Sequence, residues 1–141
     1  MTSFKAQILT PEGSLLDEEV TGVKLPGTMG SFEVKTLHAN IMSTLEVGEV
    51  VVRKATGEEQ HFAITGGFVE VVDNHLHLLA EAAESVEEID VERAKAAKER
   101  ARERLASASE DDSIDKKRAK KALERAENRI KLAADVTVST Q

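Results

Sequence analysis

The sequence predicts an α+β protein, with an N-terminal antiparallel β-sandwich followed by a C-terminal antiparallel two-helix hairpin. All eight glycines, both prolines and all four phenylalanines lie at or before Phe68, so turn formers and aromatic residues are confined to the first part. Residues 1–90 contain five Lys/Arg and 16 Asp/Glu, a net charge of −11, whereas residues 91–141 have a net charge of +4. The apolar period also changes near Ser85 from two residues to that of a helix. We therefore divide the chain into a sandwich (1–86), a helical hairpin (87–135) and a flexible tail (136–141).

Short strands separated by turn signals account for the first part of the chain. The stretch FKAQIL places Phe4 and Ile8 on one face, and VGEVVVRKATGEEQHFAI predicts two strands around a turn at Gly57. FVEVVDNHLHLLA predicts two more strands around a turn at Asp73 and Asn74. Repeated strands of this kind favour a sandwich or a barrel. The predicted core consists of Phe4, Ile8, Leu25, Phe32, Val34, Ile64, Phe68, Val71 and Leu78.

Two helices of some fifteen residues, joined by the polar turn SASEDDS, account for the second part. Their predicted seam is mostly alanine, because the recurring apolar residues are Ala94, Ala97, Ala101 and Leu105, then Ala119, Ala122, Ala126 and Ile130. Each alanine methyl contributes well under the ~1.5–3 kcal/mol of a buried leucine. Alanine also favours the isolated helix. The hairpin therefore suits an element that moves without unfolding, although a static hairpin fits the same pattern.

The stretch IDVERAKAAKERARERL, which opens the first helix, allows two interpretations. In the first, Asp90 is the N-cap and Ile89 packs on Ala94, while the arginines form a solvated face. This interpretation assigns nothing to Arg93, a cation at the positive end of a helix dipole.

In the second interpretation, the arginines bind an anion. Arg100 and Arg104 lie seven and eleven residues after Arg93, and these offsets place the three on one helical face. On the second helix, Arg125 and Arg129 lie seven and eleven residues after Arg118. In an antiparallel hairpin the two faces could converge, and arginines brought close together repel one another unless an anion lies between them.

No active site is evident in the sequence. His75 and His77 share a face of a strand and could hold a metal, but no carboxylate or cysteine stands at a convincing spacing, so surface histidines are the simpler interpretation. ITGGF lacks the lysine and hydroxyl residue of a phosphate loop and predicts a bulge or tight bend between strands. We therefore predict no catalytic residue and no metal site.

The sequence also disfavours nucleic-acid binding and direct insertion into a membrane. A basic helical hairpin can bind phosphates, but this hairpin has no aromatic residue for base stacking and adjoins an acidic domain. Apolar runs such as Val50 to Val52 fall far short of the ~20 residues that span a bilayer. The N-terminal MTSFKAQ lacks a basic flank and an apolar signal core, so we expect no secretory export.

The chain resembles the ε subunit of bacterial F-type ATP synthases, the homologue of the mitochondrial δ subunit, along nearly its whole length. The resemblance is carried by LPGTMGSFEV followed by HAN, then STLEVGEV, ITGGFVEV with LLAE, and finally IDVERAKAAKERARERL with KRAKKALERAENRI. The family usually has proline after the His-Ala pair, where this chain has Asn40. The resemblance implies a non-catalytic central-stalk subunit that couples proton flow to ATP synthesis. It also implies that the hairpin inhibits ATP hydrolysis when it extends.

The same resemblance implies partners and a location. The sandwich is expected to bind the γ subunit and the membrane-embedded proton-driven ring, and the extended hairpin to meet the catalytic α/β hexamer. The implied location is peripheral, at the cytoplasmic face of the bacterial inner membrane. The subunit-interface residues expected from LPGTMGSFEV and its neighbours are Gly27, Gly30, Ser31, Glu33 and His38.

The family's ATP-binding motif, IDxxRA or LDxxRA, is intact at residues 89–94. The resemblance therefore implies ATP as a regulatory ligand of the folded-down hairpin, with no cofactor required. The implied ATP-binding residues are Glu84, Ile89, Asp90, Arg93, Ala94, Arg100, Arg125 and Arg129. A free-standing nucleotide-sensing or adaptor protein with the same fold is the alternative, and co-purification with a γ subunit would separate the two.

Overall fold

The computed structural model describes residues 2–108 and 115–139, with side chains up to residue 135. The chain divides into two compact units, Met1–Ser85 and Val86–Gln141. Most of the predicted SASEDDS turn and the last two residues of the predicted tail lie outside the described residues. The first unit contains the strands β1 (Phe4–Thr10), β2 (Gly13–Gly27), β3 (Gly30–Lys35), β4 (Ile41–Lys54), β5 (Glu59–Val72), β6 (His75–Ala80) and β7 (Ala83–Ser85).

The strands form one sheet in the order β1-β6-β5-β4-β2-β3, and β1 also pairs with β2. That extra pairing curls the sheet into a closed, barrel-like sandwich, which confirms the predicted fold class of the first unit. One detail differs from the expectation, because β1 and β6 run parallel while the other pairs are antiparallel. The predicted turn at Asp73 and Asn74 is confirmed, and both residues have positive φ (50° and 64°), as a tight hairpin turn requires.

The sandwich core is a single cluster of 18 buried apolar residues, and it contains seven of the nine predicted residues. Phe32 is only partly buried against the cluster. Phe68 was wrongly predicted, because the buried face of β5 changes from the even positions Phe62 and Ile64 to the odd position Val69. Phe62 therefore occupies the core, and Phe68 is half-buried outside it.

This change of face coincides with two consecutive glycines. Gly66 has a φ of 123°, and a Cβ on Gly67 would lie 2.3 Å from the carbonyl oxygen of Leu79. β5 pairs with β7 before these glycines, as Ile64 does with Ala83, and with β6 from Gly67 onward. The glycines of ITGGF, predicted to form a bulge or tight bend between strands, therefore lie inside β5.

The second unit begins with a 3-10 turn (Val86–Glu88) and contains helices α1 (Val91–Ser107) and α2 (Lys116–Ser139). The 3-10 turn and α1 both pack against α2. The backbone of α2 continues helically to Ser139, beyond residue 135 at which the predicted hairpin ends. The predicted alanine seam is confirmed at its centre, where the buried residues are Ala94, Ala101, Ala119 and Ala126. Val86, Ile89 and Leu132 are the larger buried side chains of the described part of this unit.

Candidate functional site

Helix α1 starts at the predicted cap. The Oδ1 atom of Asp90 accepts a hydrogen bond from the backbone N–H of Arg93 at 3.1 Å, and Asp90 has an extended backbone (φ −81°, ψ 99°). Ile89 and Ala94, on either side of the cap, are buried. The predicted N-cap is therefore confirmed, and its partner is the amide of Arg93. The Arg93 side chain itself is exposed.

A cleft of about 540 Å³ lies between α1 and α2, in the half of the hairpin where α1 ends and α2 begins. This volume is within the ~300–1,000 Å³ range of small-molecule sites. Alanines form its floor and arginines from both helices form its walls. Its lining residues are Ala97, Arg100, Ala101, Arg104, Asp115, Arg118, Ala119, Ala122 and Arg125.

The cleft has a strongly positive lining. It contains four guanidinium groups and one carboxylate, that of Asp115. This carboxylate caps α2, since its Oδ1 accepts a hydrogen bond from the Arg118 backbone N–H at 3.0 Å. Within the described part of the chain, none of the four lining arginines forms an ion pair, whereas Arg102, on another face of α1, lies 3.7 Å from Glu99. Such a surface favours an anion that neutralises several guanidinium groups together.

The structure brings two of the eight implied ATP-binding residues to this cleft, Arg100 and Arg125. Arg129 is partly buried on α2, one helical turn beyond Arg125. Glu84 pairs with Ala63 on β7 and so belongs to the sandwich. The other four, Ile89, Asp90, Arg93 and Ala94, form the start of α1 and do not line the cleft.

Two arginines that were not in the implied set, Arg104 and Arg118, also line the cleft. The sequence carried a signal for both, because the offsets of seven and eleven place them on the same helical faces as Arg100 and Arg125. The predicted convergence of the two arginine faces is therefore observed for four of the six residues. Which of these arginines line the cleft depends on the register of α1 against α2. Residue spacing along one helix does not predict that register.

The expected interface residues, which lie between Gly27 and His38, are distributed over several structural elements. This stretch comprises a tight turn between Gly27 and Gly30, strand β3, and the start of the β3–β4 loop. Six strand residues span about 20 Å, so His38 lies far from the glycine turn. The alternating Phe32 and Val34 were a strand signal within the stretch. Ser31 and Glu33 are exposed on β3, and Glu33 pairs with Arg53 at 3.6 Å.

Two asparagines tie the β3–β4 loop to the β5–β6 turn. Asn74 Oδ1 accepts a hydrogen bond from the Leu37 backbone N–H at 2.8 Å, and Asn40 Oδ1 accepts one from the Asp73 backbone N–H at 3.1 Å. Leu37 has a φ of 61°, a conformation that costs a non-glycine residue about 1 kcal/mol, and its side chain is 81% exposed. We call this pair of hydrogen bonds the asparagine latch. It holds a strained loop that displays an apolar side chain.

The histidines have ordinary surface partners. His75 and His77 lie on the exposed face of β6, where His75 Nδ1 donates to the Asp73 carbonyl oxygen and His77 Nδ1 contacts Gln7 Oε1 at 3.3 Å. His61 Nδ1 lies 3.0 Å from Glu49 Oε2. No cluster of three or more potential metal ligands occurs among residues 2–108 and 115–139.

Comparison with known proteins assigns the family. The model of the delta/epsilon chain β-sandwich domain of ATP synthase matches residues 3–86, and the model of its long α-helix domain matches residues 87–134. This chain belongs to the ATP synthase delta/epsilon family. The epsilon chain of Syntrophomonas wolfei is 43% identical over 110 residues, which are 78% of this chain and 80% of the relative. The epsilon chain of Desulfitobacterium hafniense Y51 is 43% identical over 103 residues, covering 73% and 77%.

Solved structures have the same fold. A chain of the Euglena gracilis mitochondrial ATP synthase, determined by cryo-EM as OSCP/F1/c-ring, matches with a TM-score of 0.79 and 24% identity. The match covers 98% of this epsilon chain and 82% of the Euglena chain. A chain of the Tetrahymena thermophila central stalk/c-ring matches with a TM-score of 0.53 and 18% identity, covering 60% and 67%.

Family membership gives the coarse function. The epsilon chain is a non-catalytic subunit of the membrane-associated ATP synthase. No helix in the described part of this epsilon chain is long and apolar enough to cross a membrane. The finer questions concern its partners, its ligand and the task of its hairpin.

Proposed function

We propose that this epsilon chain is a rotor subunit of the central stalk that couples proton flow to ATP synthesis and restrains ATP hydrolysis through its hairpin. The observation that carries the proposal is the succession of both family domains along one chain, over residues 3–86 and 87–134. The proposed location is the cytoplasmic face of the bacterial inner membrane, reached through the complex.

The two ends of the sandwich suit two different neighbours. At one end Met29, in the β2–β3 turn, is 99% exposed. At the other end Leu37 and Met42, on either side of the loop held by the asparagine latch, are 81% and 68% exposed. Exposed large apolar side chains at loop tips are typical of binding surfaces. We propose that these ends contact the proton-driven ring and the γ subunit, and the solved relatives from a central stalk and a c-ring support this proposal.

The hairpin is suited to a regulatory task. The net charge of +4 over residues 91–141 favours long-range attraction to acidic surface on the catalytic hexamer when the hairpin extends. ATP would oppose that extension, because arginines from both helices can bind one triphosphate only while the helices lie side by side. At one hundred times its dissociation constant, a ligand stabilises the state that binds it by ~2.7 kcal/mol. The weak alanine seam makes such an energy sufficient to select the folded hairpin.

Assembly provides the first test. A chain truncated after Glu88 retains all 18 core residues of the sandwich, so it should fold, co-purify with γ and the ring, and support proton-driven ATP synthesis. Loss of assembly in the truncated form would contradict the proposed division of labour. Failure of the full chain to co-purify with γ would favour the free-standing adaptor.

Hydrolysis provides the second test. Removing the hairpin should raise ATP hydrolysis by the complex, and the rise should be larger at low salt because the attraction is electrostatic. The measurement compares truncated and full-length complexes over a range of ionic strength and ATP concentration. Unchanged hydrolysis under every condition would rule out the restraining role.

Calorimetric titration with ATP provides the third test. Arg100→Ala and Arg125→Ala should each weaken ATP binding about tenfold, since each removes a charged donor. Arg102→Ala is the matched control, because Arg102 points away from the cleft and pairs with Glu99. Helix content without ATP must be unchanged in all three variants. Equal ATP affinities would leave the arginines as a solvated helix face.

A further inference from the structure

The two helices of the hairpin are copies of one sequence. Residues 89–105, IDVERAKAAKERARERL, align without gaps with residues 114–130, IDKKRAKKALERAENRI, and ten of the 17 positions are identical. The IDxxRA motif therefore occurs twice, at residues 89–94 and 114–119. We call these segments the first copy and the second copy.

Most equivalent residues of the two copies are buried or exposed alike in the structure. Equivalent residues 25 positions apart share their surroundings, because Ala94 and Ala119 are both buried, as are Ala101 and Ala126. The central arginines of the two copies, Arg100 and Arg125, are both exposed.

The helix starts also follow the repeat. Asp90 accepts from the backbone N–H of Arg93 at 3.1 Å, and Asp115 accepts from that of Arg118 at 3.0 Å. The backbone N–H of the sixth residue of each motif, Ala94 or Ala119, likewise donates to the carbonyl oxygen of the cap aspartate, with N–O distances of 3.0 Å in both. The helix starts are thus built alike, and in both the aspartate side chain satisfies the amide of the third helical residue.

Two equivalent helices packed antiparallel are related by an approximate two-fold axis across the hairpin. The axis exchanges Arg100 with Arg125, so the implied ATP set and its symmetry equivalent both contain these two residues. The implied ATP set contains the first copy's Asp90 and Arg93 with Arg129 from the other helix. The axis converts that set into Asp115 and Arg118 with Arg104, and these three residues line the observed cleft.

We infer that the hairpin has a second triphosphate site, headed by the second copy and formed by Arg104 and Arg118 together with the shared Arg100 and Arg125. The cleft is of ligand size, its arginines come from both helices, and within the described residues they have no carboxylate partner. Among the described residues, the only carboxylate that lines the cleft is that of Asp115, which accepts a hydrogen bond from a backbone amide. The site goes beyond the single ATP site of the proposed function. Because two arginines are shared, the two sites exclude each other.

The ligand class follows from the lining. Guanidinium groups bind phosphate oxygens in pairs, and four of them match a chain of phosphates better than a single one. No aromatic residue lines the cleft, so a nucleobase bound there would contact little more than alanine methyl groups. The shared chemistry is a triphosphate chain, whether it comes from a nucleotide or from an inorganic polyphosphate. Titration with ATP and with inorganic tripolyphosphate distinguishes these sources.

The experiment uses the full-length chain, labelled for NMR and titrated with each probe in the presence of a chelator. Amide shifts at Arg93 and Ala94 report the first copy, and those at Arg118 and Ala119 report the second. Three double variants form a matched set: Arg93→Gln with Arg129→Gln, Arg104→Gln with Arg118→Gln, and Arg100→Gln with Arg125→Gln. Glutamine preserves length and helix propensity. Helix content and amide exchange in the absence of probe verify that each variant is folded.

In the wild type we expect saturable shifts at both copies with a total stoichiometry of one. The Arg104/Arg118 variant should lose the second-copy shifts, with binding there at least tenfold weaker, and keep those of the first copy. The Arg93/Arg129 variant should do the opposite, and the Arg100/Arg125 variant should lose both. Equal affinities of the second site for tripolyphosphate and for ATP would indicate that it recognises only the phosphates. An affinity for ATP that is tenfold higher would indicate that it also recognises the nucleoside.

Two outcomes would overturn the second site. One is a wild-type chain with shifts confined to the first copy for both probes. The other is an Arg93/Arg129 variant that loses the shifts at both copies while remaining folded. Shifts at the second copy with none at the first would instead contradict the ATP site of the proposed function and retain the second site.

Discussion

The sandwich and the hairpin are stabilised by different kinds of contact. The sandwich has a closed sheet around 18 buried residues, with large side chains such as Phe62, Ile64 and Leu78 at its centre. Among the described residues of the two helices, the buried side chains are four alanines and Leu132. At ~25 cal/mol per Å² of buried apolar area, the first arrangement gains far more per residue than the second. A firmly packed scaffold and a weakly packed element therefore share one chain, and this combination suits the proposed coupling and regulatory roles.

The largest effect is expected in the sandwich core. Leu78→Ala should lower the free energy of unfolding of the sandwich by about 3 kcal/mol, because Leu78 is fully buried and its removal leaves a cavity. The neighbouring Leu79, on the outer face of β6, is 52% exposed and gives the matched control. Leu79→Ala should cost less than about 1 kcal/mol. Urea denaturation followed by circular dichroism makes the comparison, and equal losses would contradict the assigned core face of β6.

A smaller effect is expected from overfilling the seam. Ala101→Leu places a large side chain where the helices approach closely, and it should cost the hairpin about 2 kcal/mol while leaving the sandwich unaffected. Ala96→Leu, on the exposed face of α1, is the control and should be nearly neutral. Amide exchange measured residue by residue separates the two units. Faster exchange in the β-strands of the Ala101 variant would show that the units are not independent.

The cap of α1 should contribute about 1 kcal/mol. Asp90→Ala removes the acceptor of the Arg93 amide and should speed exchange in the first turn of α1, whereas Asp90→Asn retains an acceptor and should not. Arg93→Ala leaves the backbone bond intact. If Arg93→Ala disturbed the helix start as strongly as Asp90→Ala, the side chain of Arg93 would have a structural role that the hydrogen bonds do not explain.

The smallest effects are expected for surface ion pairs in either unit. Lys5 lies 3.1 Å from Asp17 in the sandwich, with both side chains about half exposed, and Arg102 lies 3.7 Å from Glu99 in the hairpin. Lys5→Ala and Arg102→Ala should each change stability by less than about 0.5 kcal/mol, because solvent screens exposed pairs. A larger loss of stability in one unit would mean that ion pairs, and not only burial, contribute differently to the sandwich and to the hairpin.

Periodicity and turn chemistry were sufficient to predict the two architectures and most of the core. They failed at Phe68, because the buried face of β5 changes at the pair Gly66 and Gly67, and a count of alternating residues does not detect such a change. The parallel pairing of β1 with β6 brings together strands that are distant in sequence, so no local pattern could indicate it. The cleft was partly predictable, since spacing gave each arginine face. Which arginines oppose one another depends on how the helices meet, and that is a tertiary property.

The asparagine latch restrains the β3–β4 loop in the native state but not in the unfolded state. Members of the resembled family usually have proline where this chain has Asn40, and a proline limits the backbone before folding as well as after it. The hydrogen bonds of Asn40 and Asn74 exist only in the native state. The unfolded chain therefore keeps its full conformational entropy at this loop, and it has no prolyl bond there whose slow isomerisation could delay refolding. Because each hydrogen bond joins the β3–β4 loop to the β5–β6 turn, the latch can form only when the strands bring these two segments together.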